Sequence, residues 1–211
     1  MDMQSNRPTD SLASQQYWDQ GYQNLALDIA SPRDPVRIWL ESHLPAGSGS
    51  ALELGCYPGR YLAVLGELGY ELNGADLTPD VETVLPQWMR KSGYRTGEFV
   101  RADVWTHDFK RQFDVVASFG LIEHFEKWPE LLCRHAHLVN KGGWLAVTTP
   151  NFRGGIQQFL HGWLDRDNLA RHNLHAMEPQ AWTNIVKPLG FNTVFCGYFG
   201  RFDFWEGVKK D

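Results

Sequence analysis

An apolar run passes into a helix through a turn with glycine at each end: Ala51-Leu52-Glu53-Leu54-Gly55-Cys56-Tyr57-Pro58-Gly59-Arg60-Tyr61-Leu62. Strand, tight turn and helix in that order open an α/β fold. Gly55 can take backbone angles closed to residues with a Cβ, and Gly59 lets the backbone pass close to a ligand where the helix begins. The unpaired N–H groups of the helix start would face that ligand. The run therefore reads as a loop for a nucleotide-type cofactor. Its spacing is G-x-x-x-G, without the G-x-G-x-x-G that a dinucleotide pyrophosphate needs, so a dinucleotide reader is disfavoured.

The next segments fit the same frame. Glu71-Leu72-Asn73-Gly74-Ala75-Asp76-Leu77 reads as a second strand ending in an acid, roughly 20 residues past the loop, where such folds place a carboxylate on a ribose diol. The other role open to Asp76 is a helix N-terminal cap with Thr78. Phe99 to Val104 places Asp103 at the tip of a third strand, and the apolar run Phe113 to Phe119 ends in Gly120. Ligands of open α/β sheets bind outside the carboxyl ends of the strands, so these tips should line one crevice.

With these pieces in order, the chain resembles the class I S-adenosylmethionine-dependent methyltransferases, from about Leu52 to Phe191. The resemblance rests on Glu53-Leu54-Gly55-Cys56-Tyr57-Pro58-Gly59, Asp76-Leu77, Ala102-Asp103-Val104, Phe113-Asp114-Val115-Val116 and Ile122-Glu123-His124. Lys141-Gly142-Gly143-Trp144-Leu145-Ala146-Val147 follows as a glycine turn before a fifth strand. It implies a Rossmann-like three-layer α-β-α sandwich with a seven-stranded, mostly parallel sheet and an antiparallel last strand. Gly55 and Gly59 would hold the methionine portion of the cofactor, Asp76 the ribose, Asp103 the adenine amine, and Val104 would pack near the ring. Glu53, Tyr57, Leu77, Phe119 and Gly120 would complete the cofactor's surroundings. Tyr57 and Pro58 stand where a central glycine is common; proline restricts the loop and sets the Tyr57 ring beside the methionine tail.

The same resemblance divides the chain into a helical lid over residues 1–45, with Tyr17, Trp18 and Tyr22 as lid residues, and a methyltransferase domain over 46–211. Core packing is the plainer use of those rings. Proline at the first turn suits a helix starting at Pro35, and Pro179 opens another through Val186. Phe191 to Phe199 with Phe202 to Val208 reads as a closing hairpin. An insertion over about 152–177 carries Arg153, His161, Trp163, Arg171, His172 and His175, and a long loop on a rigid sheet is where specificity resides. Arg153, Trp163 and His175 are the expected acceptor contacts.

Composition narrows the partners. The chain has 211 residues, 43% of them hydrophobic, enough for one domain with a core. No apolar stretch approaches the roughly 18 residues of a membrane span, and the start shows no apolar signal core. A cytoplasmic protein is expected. Cys56, Cys133 and Cys196 are scattered, which gives neither a disulfide framework nor a metal knuckle, so they read as small apolar fillers. Net charge is −5, with 25 acids against 20 bases, a balance that lacks the cationic surplus nucleic acid requires. Arg134, Arg153, Arg166 and Arg171 are the candidates for a local basic patch.

The chemistry implied is methyl transfer from S-adenosylmethionine, leaving S-adenosylhomocysteine. The sulfonium methyl is already activated, so positioning of the nucleophile is the main requirement. A hydroxyl acceptor would also need a base. His124 is the first choice, since an unperturbed histidine near pKa 6.5 accepts a proton at neutral pH. Glu123 and His172 are the accompanying candidates, and adjacent residues on a helix point apart, so only one of Glu123 and His124 is expected to face the acceptor. No metal is expected. Ubiquinone-type O-methyltransferases that use a divalent ion carry E-x-x-E-H and a later histidine, whereas Gly120 here replaces the first acid. Were an ion bound, Glu123, His124 and His172 would be its ligands. The favoured function is methylation of a small-molecule hydroxyl, such as a sugar unit or secondary metabolite. A macromolecular methyltransferase and a non-catalytic cofactor binder are the alternatives.

Overall fold

The structure, a computed structural model, describes residues 10–23, 25–151 and 170–198. Five segments form the sheet: β1 (Ser50–Leu54), β2 (Glu71–Asp76), β3 (Thr96–Arg101), β4 (Phe113–Phe119) and β5 (Val139–Thr148). All neighbours pair in parallel, in the order β3-β2-β1-β4-β5. Parallel pairing needs long crossovers, which are mainly helical here. These helices are α3 (Arg60–Glu67), α4 (Val84–Lys91) and α5 (Trp128–His137), joined by α1 (Gln15–Tyr22) and α2 (Pro35–His43) before the sheet and α6 (Pro179–Val186) after it. Pro35 is preceded by Asp34, whose side chain accepts the N–H groups of Val36 and Arg37 and so starts α2.

Alternation along the strands sorts the core into two layers. Ala51, Val115 and Ala117 pack with Leu40, Leu62, Leu85 and Met89 from α2, α3 and α4. Leu52, Leu54 and Val116 pack on the opposite face with Trp128, Leu131 and Leu132 of α5. Both faces are covered, which is why β1 and β4 read as nearly continuous apolar runs. Cys56 is buried within this core, whereas Cys196 is exposed. Among the described residues no helix is long and apolar enough to cross a membrane.

Asn73 is the buried polar exception. Its Nδ2 donates to the carbonyls of Ala51 and Glu71, and its Oδ1 accepts the Glu98 N–H at 2.8 Å, so one side chain ties β1, β2 and β3. Asn73→Leu strands the Glu98 donor, and an unsatisfied donor costs about 1–3 kcal/mol. Urea unfolding should show a loss of that size, and an unchanged midpoint would contradict the role.

Two expectations are corrected. Lys141-Gly142-Gly143 lies inside β5 rather than ahead of it: Phe113 pairs with Val139 and Val115 with Trp144, so the surplus residues bulge outward, with Gly142 at φ 79°. Of the seven strands expected, the described residues contain five. Phe191 to Tyr198 forms no strand, and the other half of the expected hairpin, Phe202 to Val208, lies outside the described residues. Residues 152–169, with Arg153, His161, Trp163 and Arg166, also lie outside them.

Candidate active site

The strand order reverses between β1 and β4, so their carboxyl ends diverge and leave a crevice. The glycine loop lies at the β1 end. Gly55 has φ 69° and Gly59 φ 84°, both in the left-handed region where a Cβ is strained, and Gly59 leads directly into α3. The amides of Gly55 and Cys56 both donate to the Ala75 carbonyl, at 2.9 and 3.3 Å, anchoring the loop to β2.

Asp76 is the last residue of β2 and is buried. Its Oδ2 accepts the Tyr57 N–H at 3.1 Å and its Oδ1 the Thr78 N–H at 3.0 Å. The local bond to Thr78 and the loop contact thus coexist, and each oxygen keeps a second acceptor site. Burial raises its pKa, and the amide bonds oppose that. Glu53 is also buried; burial, with Asp76 nearby, raises its pKa, and its Oε2 has no hydrogen-bond partner among the described residues.

Asp103 lies two residues beyond the end of β3 and its Oδ1 accepts the Trp105 N–H at 2.8 Å. Arg134 of α5 fixes this loop: its Nε donates to the Val104 carbonyl at 2.5 Å, and its guanidinium also donates to the His107 carbonyl. Arg134 is therefore a brace behind Val104 rather than part of a basic patch. Leu77 presents its carbonyl to Arg101 Nε at 2.9 Å, and the Phe119 ring packs on Tyr61 at 4.8 Å.

Beyond β4, Gly120 turns the chain at φ 71°, and Ile122–His124 forms a single 3-10 turn. Here Glu123 and His124 do not point apart. Glu123 Oε1 lies 3.9 Å from His124 Nε2 across a single 3-10 turn ended by extended Phe125. The His172 ring is centred 4.5 Å from that of His124. Ligand atoms of Glu123, His124 and His172 all fall within 4.8 Å of one another.

Glu123 has no exposed surface, and neither carboxyl oxygen has a hydrogen-bond partner. His124 Nδ1 lies 2.8 Å from the Arg171 carbonyl. A carbonyl only accepts, so Nδ1 carries the proton and Nε2 presents its lone pair toward Glu123. Burial, with His172 beside it, lowers the His124 pKa to about 4, and burial raises Glu123 to about 8. The expected base near 6.5 is corrected accordingly: at neutral pH the cluster holds a neutral imidazole and a carboxylic acid. His175 is exposed and stands outside the cluster.

The segment before the sheet lies across this crevice. The Leu12 N–H donates to the His124 carbonyl at 2.7 Å. Trp18 meets the His124 ring edge-on at 4.8 Å, Tyr22 meets Tyr57 at 5.0 Å, and the Arg171 guanidinium sits 4.2 Å from the Tyr17 ring centre. Leu121 was not singled out by the sequence, yet its Cδ1 lies 2.8 Å from where a Gly55 Cβ would stand. A groove of about 1510 Å³ runs instead beside β5, past Trp39, Trp144, Trp182 and Phe191, and reaches Phe119 and Gly120 but neither Asp76 nor His124.

Residues 15–194 match the family model described as a methyltransferase domain. Ubiquinone biosynthesis O-methyltransferase of Burkholderia multivorans is 28% identical over 120 residues, 56% of this chain and 52% of that one. Its counterpart in Burkholderia ambifaria strain MC40-6 is 26% identical over 140 residues, 65% of this chain and 60% of that one. The chain thus spans little more than half the length of these curated relatives. Among solved structures, a Bacillus halodurans C-125 protein described as a methyltransferase aligns with a TM-score of 0.59 at 16% identity, covering 72% of this chain and 67% of that one. Magnesium protoporphyrin IX methyltransferase of Synechocystis PCC 6803, with SAH bound, aligns at 0.53 and 17% identity, covering 78% of this chain and 76% of its own. At these identities the structures speak for the fold, and the family match, over most of the chain, decides membership: the chain belongs to the methyltransferase-domain family.

Proposed function

We propose that the protein binds S-adenosylmethionine at the tips of β1, β2 and β3 and transfers its methyl group to a hydroxyl of a small molecule in the cytoplasm. One observation carries the reading: the loop and acid of a nucleoside site converge on the same end of the sheet as a buried acid–histidine cluster. The residues fit the cofactor, since Asp76 keeps acceptor capacity for a ribose diol and Asp103 sits beyond the adjoining strand. The bound cofactor would supply an activated methyl. Asp76 and Asp103 would fix its nucleoside, and His124 Nε2 would accept the acceptor's proton as the carbon–oxygen bond forms. Residues 152–177, including Arg153 and Trp163, would select the acceptor. The O-methyltransferase names of the relatives support oxygen as the atom methylated. An acceptor screen scored by S-adenosylhomocysteine release tests this; binding without turnover on any hydroxyl compound would contradict it.

A metal-assisted form has its own support in the orphaned, fully buried Glu123 carboxyl. Glu123, His124 and His172 would hold the ion, with the Arg171 carbonyl orienting His124 from behind. Two imidazoles and one carboxylate suit a transition-series divalent ion better than Mg²⁺, which prefers oxygen donors. Such an ion would lower the acceptor hydroxyl's pKa. Gly120 faces this cluster, for its absent Cβ would lie 3.5 Å from Glu123 Oε1. Under this form, chelation abolishes activity and Zn²⁺ or Mn²⁺ restores it better than Mg²⁺. Gly120→Asp, an acid that tolerates positive φ, shifts the preference toward Mg²⁺. Full activity after exhaustive chelation would exclude the metal and leave the base mechanism.

A further inference from the structure

Part of the crevice that would receive the cofactor is covered by the protein itself. Gly55 and Tyr57 belong to the loop assigned to the cofactor, and each is covered: Gly55 by Leu121, Tyr57 by Tyr22. A ligand cannot touch the open side of Gly55 while Leu121 Cδ1 occupies it. Both covers lead to the acid–histidine cluster. Trp18 and Tyr22 lie one helical turn apart on the same face of α1 and stack at 6.1 Å with an interplanar angle of 24°. They form one bar, resting on Tyr57 at one end and on His124 at the other. Leu121 opens the 3-10 turn that carries Glu123 and His124, and its carbonyl accepts the His124 N–H at 3.1 Å. Burial and the nearby Asp76 carboxylate keep the Tyr22 phenol protonated, as a neutral occupant of an acidic crevice must be.

We propose that Tyr22 and Leu121 stand in the cofactor's place in the free protein, and that cofactor entry displaces both, lifting Trp18 from His124 and uncovering the cluster for the acceptor. The inference rests on the crevice being the S-adenosylmethionine site, and it orders the reaction: cofactor first, acceptor second. Leu12, bonded to the His124 carbonyl, and the antiparallel bridge between Ser11 and Phe125 are the contacts released with α1.

S-adenosylhomocysteine is the probe, followed by tryptophan fluorescence in stopped flow. A closed crevice makes the observed binding rate of the wild type level off at high ligand concentration, at the rate of opening. Apparent affinity is reduced by the fraction of open molecules, so the double variant Tyr22→Ala/Leu121→Ala should bind about tenfold more tightly if that fraction is near a tenth, and each single variant more tightly by a smaller factor. Hydrogen exchange at the Leu12 amide should quicken when the wild type is saturated. A rate that rises linearly with ligand in the wild type, with weaker binding in Tyr22→Ala, would overturn the proposal and make Tyr22 an ordinary cofactor contact. The wild-type kinetics and exchange decide the matter even if a variant fails to fold. Absence of any binding by the wild type would instead remove the cofactor site on which the proposal stands.

Discussion

Replacing His124 with alanine lowers kcat by about 10²–10⁴-fold, the usual worth of a general base, and does not weaken S-adenosylmethionine binding. The separation follows from position, since His124 stands at the β4 tip and the nucleoside contacts at the tips of β2 and β3. The pH profile gives the sharper test. Burial favours the neutral imidazole and lowers its pKa to about 4, so the lone pair on Nε2 is available above that value and lost as pH falls through it. In the free protein, followed by the His124 ring resonances, that loss should come near pH 4, and in turnover, where cofactor entry uncovers the cluster, the acid limb should rise toward the ordinary histidine range. An acid limb near 6.5 would mean that His124 is solvated in the working enzyme, and full activity of His124→Ala would remove it from the chemistry.

Asp76→Ala weakens S-adenosylmethionine binding by about tenfold or more, since each bond to a charged acceptor is worth about 1.5–3 kcal/mol and 1.4 kcal/mol is a factor of ten. The carboxylate also accepts the Tyr57 and Thr78 amides, so the substitution loosens the glycine loop as well. Asp76→Asn separates the two effects, because its one carbonyl oxygen can keep a loop bond while the paired acceptor for a diol is gone. Calorimetry on both folded variants should show weakened binding in each. Unchanged affinity in Asp76→Asn would confine Asp76 to bracing the loop.

The parts legible in the sequence were those set by local pattern. Strands buried on both faces appear as apolar runs, so β1, β2 and β4 and their terminal residues Asp76 and Phe119 could be placed from neighbours alone. The helix from Pro179 to Val186 was equally local. What could not be read depends on tertiary distance. Glu123 and His124 come within 3.9 Å of each other on a single 3-10 turn after the positive φ of Gly120, a turn that no local pattern announces. Their shifted pKa values come from burial under segments far away in the chain, α1 before the sheet and Arg171–Asn173 after it. Arg134 reads as surface charge until α5 brings it to the carbonyls of Val104 and His107. The space at Gly55 suggested a ligand's approach, and Leu121 uses it in the free protein. Only the bulge around Gly142 had a local signal, since paired glycines in a strand weaken it.

The strand-tip crevice as cofactor site is the claim on which the rest depends, and a crystal structure of the complex with S-adenosylhomocysteine tests it most directly. The account predicts the ribose hydroxyls on the Asp76 carboxylate, the adenine beside Asp103 and Val104, and the Leu121 side chain withdrawn from Gly55. Ligand bound in the groove beside β5, between Trp39 and Trp144, with Leu121 still seated on Gly55, would contradict it.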